Sequence, residues 1–461
     1  MAAPQTNDNQ HICAGEKCSE CQQQPLMGVE LQSAEQHRAQ CGRHCGAKRK
    51  PLIRRLVAAC GKGLLWGIAI AFLWRTSRFL HRHPSPDWSY EEAILISEDP
   101  QNLSCVLAHN WTEYAHPPVW SIERFGAKTS FALPANADSL SLLARGSYQH
   151  GHVEFVQSTE ESDTVDVNVR VAYRFEEAIE NAAVCLTGNG KNEYGIGIFT
   201  PKRKGRWSGK EGLRFDIQVT LPAGKGGDGL NIKRLETELP NYSQNVADLW
   251  KTVSFDHIAL SSVNGHVSVD SVTADTGLFT TSNGGISGHF NAESLELVTL
   301  NGPIRASVAL LNRKGAHPST LLMHTANGPI DSEVTLTSDV ATGGKFDVDA
   351  STTNGPVDLK FIKSPVSALL KAKAKSTIGR VKVALAPEYE GYFSGSSVIR
   401  DVSLVNRNVE DPEGKGRRRE HRAGQSVDGL SVFWVESDGS HAENESSVEA
   451  STTISAVEIL V

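Results

Sequence analysis

From Thr129 onward the chain alternates between apolar and polar residues. Val165, Val167, Val169 and Val171 hold every second position, with Asp166, Asn168 and Arg170 between them. That period predicts a strand with one face buried. The runs SFALP, SLSLLARG and HVEFVQS before it and LRFDIQVTLP after it read the same way. AAVCLTG and YGIGIF flank Gly188-Asn189-Gly190, which predicts a hairpin. Together these runs predict an antiparallel β unit over 129–250.

Past residue 255 the alternation is locked to a repeated phrase: Ser or Thr, any residue, Asn-Gly, one residue, then a β-branched one. The Asn positions are Asn264, Asn283, Asn301, Asn327 and Asn354, with Ile378 in the Asn place of a sixth copy, 18 to 27 residues apart. The Ser/Thr place holds Ser262, Thr281, Thr299, Thr325, Thr352 and Ser376. Asn-Gly between strands ordinarily announces a tight hairpin, because both residues accept positive φ. Here Pro303, Pro329 and Pro356 directly follow the glycine. Proline has no N–H to return across such a turn, so the phrase predicts an open corner that recurs in a β-solenoid over 255–405. The competing architecture is an antiparallel meander using the same turn. Residues seven after the Asn place (Phe290, Val308, Val334, Phe361, Leu385) are apolar. Period two turns them inward together with the β-branched residues. The Ser/Thr and Asn columns are expected to form hydrogen-bonded ladders along the stack. After a charged loop at 406–427, expected to be disordered, LSVFWVES and TTISAVEILV within 428–461 are expected to be closing strands that cap the open edge.

The N-terminal part follows neither pattern. Leu56–Trp74 is 19 residues long and apolar except for Lys62. That length just crosses a bilayer as a helix, and it predicts a transmembrane span at 52–76. Leu56, Leu64 and Ile70 would lie in the hydrocarbon, with Trp66 and Trp74 as amphipathic anchors. Five basic residues before the span against three after it orient the N-terminus to the cytosol and the remainder to a luminal or extracellular side. Residues 1–50 read as a disordered cytosolic tail, and 83–128 as a proline-containing spacer. The tail holds Cys13, Cys18, Cys21, Cys41 and Cys45, with His11, His37 and His44; Cys18-x2-Cys21 followed by His37-x3-Cys41 imitates zinc-ligand spacing but lacks a packing core. The tail therefore reads as reduced and cysteine-containing, a candidate for acylation near the membrane, with a zinc site as the alternative.

Composition narrows the function classes. The net charge of the 461 residues is −7, while the chain from His83 onward carries 34 basic against 48 acidic residues. So acidic a region does not suit a nucleic-acid backbone. Beyond the apolar segment lie two cysteines, Cys105 and Cys185, candidates for one disulfide. The sequons at Asn102, Asn110, Asn241 and Asn444 are candidate N-glycosylation sites.

The series TSNGGISGHF, TLNGPIRASV, TANGPIDSEV and TTNGPVDLKF, ending in APEYEGYF, carries a resemblance. It resembles fungal single-pass membrane proteins with a domain of unknown function, and is similar to the bacterial β-strand-repeat domain of candidate adhesins. The resemblance spans about residues 129–400 and implies a cell-surface or wall-associated structural and binding module. It supplies no catalytic residues and no cofactor.

The search for chemistry returns one arrangement. Asp331 and Asp358 take the same place in successive copies, and stacked in register they would stand about 5 Å apart. That is near the separation of a retaining glycosidase pair. Ser268, Ser287, Arg305 and Lys382 fill the equivalent places, which instead predicts a mixed, solvent-facing ion ladder. No nucleophile elbow, phosphate loop or metalloprotease motif is present. His150-Gly151-His152 has no nearby ligand partner in sequence, and Lys202–Lys210 reads as a solvated basic loop. The expected function is therefore a non-enzymatic, membrane-anchored β-repeat module for glycans or surface proteins. A carbohydrate-active solenoid using Asp331 and Asp358 is the alternative.

Overall fold

The computed structural model describes residues 104–106, 111–113, 123–188, 192–201, 212–313, 317–340, 342–423, 430–441 and 444–461. The tail 1–50, the span 52–76 with Leu56 to Trp74, Asn102, Asn110 and the Lys202–Lys210 loop lie outside them. Among the described residues the chain is all-β, and no helix is long and apolar enough to cross a membrane.

The predicted alternation becomes strands whose side chains point alternately inward and outward. In IRASVALLN the residues Ile304, Ala306, Val308 and Leu310 are buried while Arg305 and Ser307 are exposed. At the N-terminal end are β1 (Ser104–Val106), β2 (Thr112–Glu113), β3 (Phe125–Pro134), β4 (Ser139–Arg145) and β5 (Gln149–Glu161). They are followed by β6 (Thr164–Tyr173), β7 (Ala183–Gly188), β8 (Glu193–Phe199) and β9 (Leu213–Ala223). The repeat region contributes β10 (Leu230–Glu238), β11 (Tyr242–Asp248), β12 (Val253–Ser261), β13 (Val267–Thr281), β14 (Ile286–Thr299) and β15 (Ile304–Asn312). It continues with β16 (Ser319–His324), β17 (Ile330–Ser338), β18 (Lys345–Thr352), β19 (Val357–Lys363), β20 (Leu369–Ser376) and β21 (Val381–Ala384). Last come β22 (Gly391–Ser397), β23 (Val402–Val405), β24 (Arg418–Ala423), β25 (Leu430–Val435), β26 (Ser447–Thr452) and β27 (Val457–Leu460).

Pairing direction decides between solenoid and meander. From β10 to β21 every strand pairing is parallel. The strand before each Asn-Gly corner stacks on the strand before the next corner, as in β14–β16–β18–β20. The strand after the corner stacks likewise, as in β15–β17–β19–β21. Two columns of strands result, and β13 and β14 are long enough to bend from one into the other. The core lies between the columns. Val267, Ile286, Ile304, Ile330, Val357 and Val381 stand in one buried row, and Phe290, Val308, Val334 and Phe361 in another four residues along. Each such side chain contributes roughly 1.5–3 kcal/mol of transfer free energy, so every added coil extends one continuous core.

Three expectations need correction. A separate antiparallel unit over 129–250 does not form. β4 and β5 pair parallel with β8 and β9 on one side and with β10 and β11 on the other, so they are coils of the same stack. The antiparallel pairings of this region are those of the flanking β1, β2, β3, β6 and β7, with β6 also against β9 and β7 against β8 as the predicted hairpin. Alternation reports which side chains face the core, not the direction of the neighbouring strand. Second, the segment 447–461 does not cap the edge. β26 and β27 insert between the β20/β21 coil and the β22/β23 coil, parallel to both. The cap is β22/β23, with the antiparallel β24–β25 hairpin alongside β22.

Third, the charged segment 406–427 is ordered in its described part. Asp411 accepts hydrogen bonds from the backbone N–H of Glu413, Lys415 and Arg417. The Arg417 guanidinium joins them at 2.8 Å in a pair that is 8% and 7% exposed. Arg417 and Arg419 both lie over the buried Trp434 ring, so these two arginines pack while Arg418 between them stays in solvent.

Candidate functional site

Each corner is built from three side-chain decisions. The Ser/Thr hydroxyl accepts the N–H of the glycine three residues later, as Gly302 N to Thr299 at 3.1 Å, which holds the bend. The same hydroxyl donates to a carbonyl one coil earlier: Thr281 to Gly265, Thr299 to Gly284, Thr325 to Gly302, Thr352 to Gly328 and Ser376 to Gly355. The glycine is required by that contact rather than by its φ. A Cβ on Gly302 would sit 1.8 Å from the Gly284 carbonyl oxygen, and on Gly355 1.9 Å from that of Gly328. The Asn side chains then form an exposed amide ladder. Asn264 donates to Asn241, Asn283 to Asn264, Asn301 to Asn283, Asn327 to Asn301, and Asn354 to Asn327, the first four at 2.6–2.7 Å. The hydroxyl column thus bonds to backbone, while the Asn column bonds to itself.

Asp331 and Asp358 do stand in register on β17 and β19. Their row reads Ser287, Arg305, Asp331, Asp358, Lys382, Glu458, one residue per strand. Lys360, two residues along β19 from Asp358, reaches Asp331 at 3.7 Å and Glu333 at 3.6 Å, and Lys382 reaches Glu458 at 3.6 Å. Asp331 is a rung in a cross-strand charge network, while Asp358 beside it has its Oδ1 buried without a hydrogen-bond partner among the described residues.

Other predicted sites fall elsewhere. Cys185 is disulfide-bonded, and the backbone register sets it opposite Cys105. Asn241 and Asn444 both use their amide nitrogens within the fold, donating to the carbonyls of Gln149 at 3.2 Å and Ala368 at 3.1 Å. His152 meets Ser243 at 3.0 Å, and no group of three or more metal-ligating side chains occurs among the described residues.

One concave feature among the described residues is a groove of about 450 Å³ where β13 and β14 bend between the two columns. A bulge in β13 between Val269 and Val272 sharpens the bend. Gly288 opposite has φ +152, and a Cβ there would meet the Val269 carbonyl at 2.2 Å. Val272 and Phe290 are the buried floor, and Asp248, Trp250, Asp270, His289, Asn291 and Ser307 the walls. Trp250 is 48% exposed in the turn after β11. Its backbone N–H donates to Ser271 at 3.3 Å, and its carbonyl accepts from Thr273 at 3.0 Å. Ser271 also donates to Asp248, and the His289 ring nitrogen Nδ1 lies 2.9 Å from the Asp270 carbonyl. No motif marks these residues in sequence. The single signal is Trp250, a bulky aromatic in the turn ADLWKT.

Residues 305–408 match the family described as Domain of unknown function (DUF7330). Among solved structures, the chain is similar to a candidate cell adhesion protein of Clostridium sporogenes at 8% identity and a TM-score of 0.16, covering 73% of this chain and 99% of that one. It is also similar to a candidate adhesin of Bacteroides fragilis at 15% identity and a TM-score of 0.30, covering 56% and 96%. No curated protein matches the chain.

Proposed function

We propose that the chain is a non-enzymatic, adhesin-like surface module of the fungal single-pass membrane type. The apolar segment Leu56–Trp74 anchors it, the N-terminal tail is cytosolic, and the coil stack faces the lumen or exterior. The reading rests above all on how the stack treats its charges. Arg305, Asp331, Asp358, Lys382 and Glu458 are spread one per strand along an open face, with Lys360 and Lys382 pairing acids. A surface of that kind suits recognition of an extended partner, whereas acid–base catalysis needs carboxylates converging on a cleft. The disulfide at Cys185 supports an oxidising compartment. Glycans or wall-associated surface proteins are the partners in this reading, and nucleic acid is not.

The test is retention of the full-length, detergent-solubilised chain on isolated cell-wall or cell-surface material. Retention should survive Asp331→Asn with Asp358→Asn. Polysaccharide cleavage abolished by that pair would replace this reading with the enzymatic one. Protease access to the coil stack from the cytosolic side of sealed membranes would reverse the orientation.

A further inference from the structure

Resting on the binding-module reading, we infer that the groove at Trp250 is a saccharide site for a short, uncharged oligosaccharide segment lying across β11, β13, β14 and β15. Its volume of about 450 Å³ falls within the usual range for small-ligand pockets. Its chemistry is what a sugar requires. A sugar ring offers an apolar C–H face and a rim of hydroxyls. The half-exposed indole of Trp250 and the partly exposed Ala309 offer apolar surface to the first. Asp248 and Asp270 accept hydrogen bonds from the second, while Asn291, His289 and Ser307 supply donors and further acceptors.

The charge of the lining selects against other ligands. Two carboxylates and no Lys or Arg line the groove, so the lining itself repels a phosphate, sulfate or uronate. Lys251 lies over the Trp250 ring at 4.8 Å and is not part of the lining. The walls are also tied together before any ligand arrives. Ser271 holds both Asp248 and the Trp250 backbone, Thr273 holds the Trp250 carbonyl, and His289 is set by the Asp270 backbone. A pre-ordered wall loses little freedom on binding.

The groove also opens onto a row. His289 stands in register with Ser307, Glu333 and Lys360 on successive strands, about 4.8 Å apart. A chain of sugars leaving the groove along this row meets a polar side chain at every strand, so longer oligosaccharides bind more tightly than short ones.

The experiment uses the full-length chain in detergent on an array of neutral gluco-, manno-, galacto- and N-acetylglucosamine oligosaccharides from dimer to hexamer. Uronate and sulfated oligosaccharides are printed beside them, and each hit is titrated. Neutral oligosaccharides should bind, with affinity rising with length. Trp250→Ala should weaken binding roughly tenfold or more, Trp250→Phe should keep part of it, and Asp270→Asn should also weaken it. Glu449→Gln on β26, outside both the lining and the row, should leave it unchanged. Trp250 is half exposed, so its loss empties no core. Should Trp250→Ala nevertheless misfold, Ser307→Trp blocks the groove from its opposite wall and must abolish binding. Wild-type affinity in both Trp250→Ala and Ser307→Trp overturns the inference, as does binding confined to the acidic sugars. Retention on surface material with no hit on the array overturns the saccharide site alone and leaves the module reading standing. Trp250-dependent array binding without such retention does the reverse.

Discussion

The hydroxyl of Thr325 joins two coils at one point, donating to the Gly302 carbonyl at 3.1 Å while accepting the Gly328 N–H of its own corner at 3.1 Å. Thr325 is fully buried. Thr325→Val keeps the shape and leaves both backbone groups without a partner, at about 1–3 kcal/mol each. A fall in the urea midpoint corresponding to about 2–4 kcal/mol is expected. Thr325→Ser should lose less than half of that, because Ser262 and Ser376 already make the corner bond elsewhere in the stack.

Gly302 is the partner in that contact, and its role is proximity. Gly302→Ala places a methyl 1.8 Å from the Gly284 carbonyl oxygen, so the coils must part and the hydrogen bonds across the corner go with them. A loss of about 3 kcal/mol or more is expected, seen as new protease cleavage within the repeats. Gly212→Ala is the control. Nothing lies within 4 Å of a Cβ there, and the change should be neutral or slightly stabilising. Equal effects at the two positions would sink the proximity argument.

The corners were legible because each of their requirements reaches only a few residues. The Thr299 hydroxyl bonds an N–H three positions on, and Pro303 fits because only its carbonyl is called upon, by Ile286 of the neighbouring coil. Coil order was not legible. Thr452 and Val457 occupy the Thr and β-branched places, in register with Ser376 and Val381, but Ile454 and Ser455 replace Asn-Gly. Ser397, Ile399, Arg400 and Val402 repeat the corner still more loosely, with Arg400 N–H donating to Ser397. The hydrophobic pattern fits these coils equally well at either place in the stack, so nothing local says that β26/β27 lies inside β22/β23. The groove escaped for a related reason. It depends on β13 and β14 bending without a loop, and alternation runs almost unbroken through such a bend.

The Asn ladder stops where the sequence loses its asparagine. Ile378 stands above Asn354 in the stack and is 42% exposed. Ile378→Asn should extend the ladder by one rung, its amide donating to the Asn354 side-chain oxygen. An exposed hydrogen bond contributes little, about 0.5 kcal/mol, but the change also removes an apolar side chain from water. A small rise in melting temperature is expected. Asn301→Ala, which breaks two rungs at once, should lower it by more than Ile378→Asn raises it. A destabilised Ile378→Asn would show that the ladder is incidental to the stack.

Acid should loosen the hairpin end of the stack in two separate stages. Burial, and next the Arg419 guanidinium, hold the His421 pKa below its ordinary value, and neither ring nitrogen has a hydrogen-bond partner among the described residues. The folded state therefore favours neutral His421, whereas the unfolded chain takes up a proton near pH 6.5. The contribution is complete above that pH and declines as pH falls through it, because the unfolded state then binds more protons. Asp411 behaves differently. The Arg417 side chain, together with backbone N–H donors, holds its carboxyl well below the usual range. Its stabilisation is complete above the unfolded value of about 3.9 and fades only as pH drops further toward the folded one. Thermal melts between about pH 7.5 and 5 thus read the His421 stage, and those below about pH 4 the Asp411 stage. His421→Phe, which cannot take a proton, should flatten the first stage and spare the second. Asp411→Asn should lower stability at neutral pH and flatten only the second. Because the chain has 16 histidines, the quantity to compare is the slope of the variant against that of the wild type. An unchanged slope in His421→Phe would remove His421 as its source.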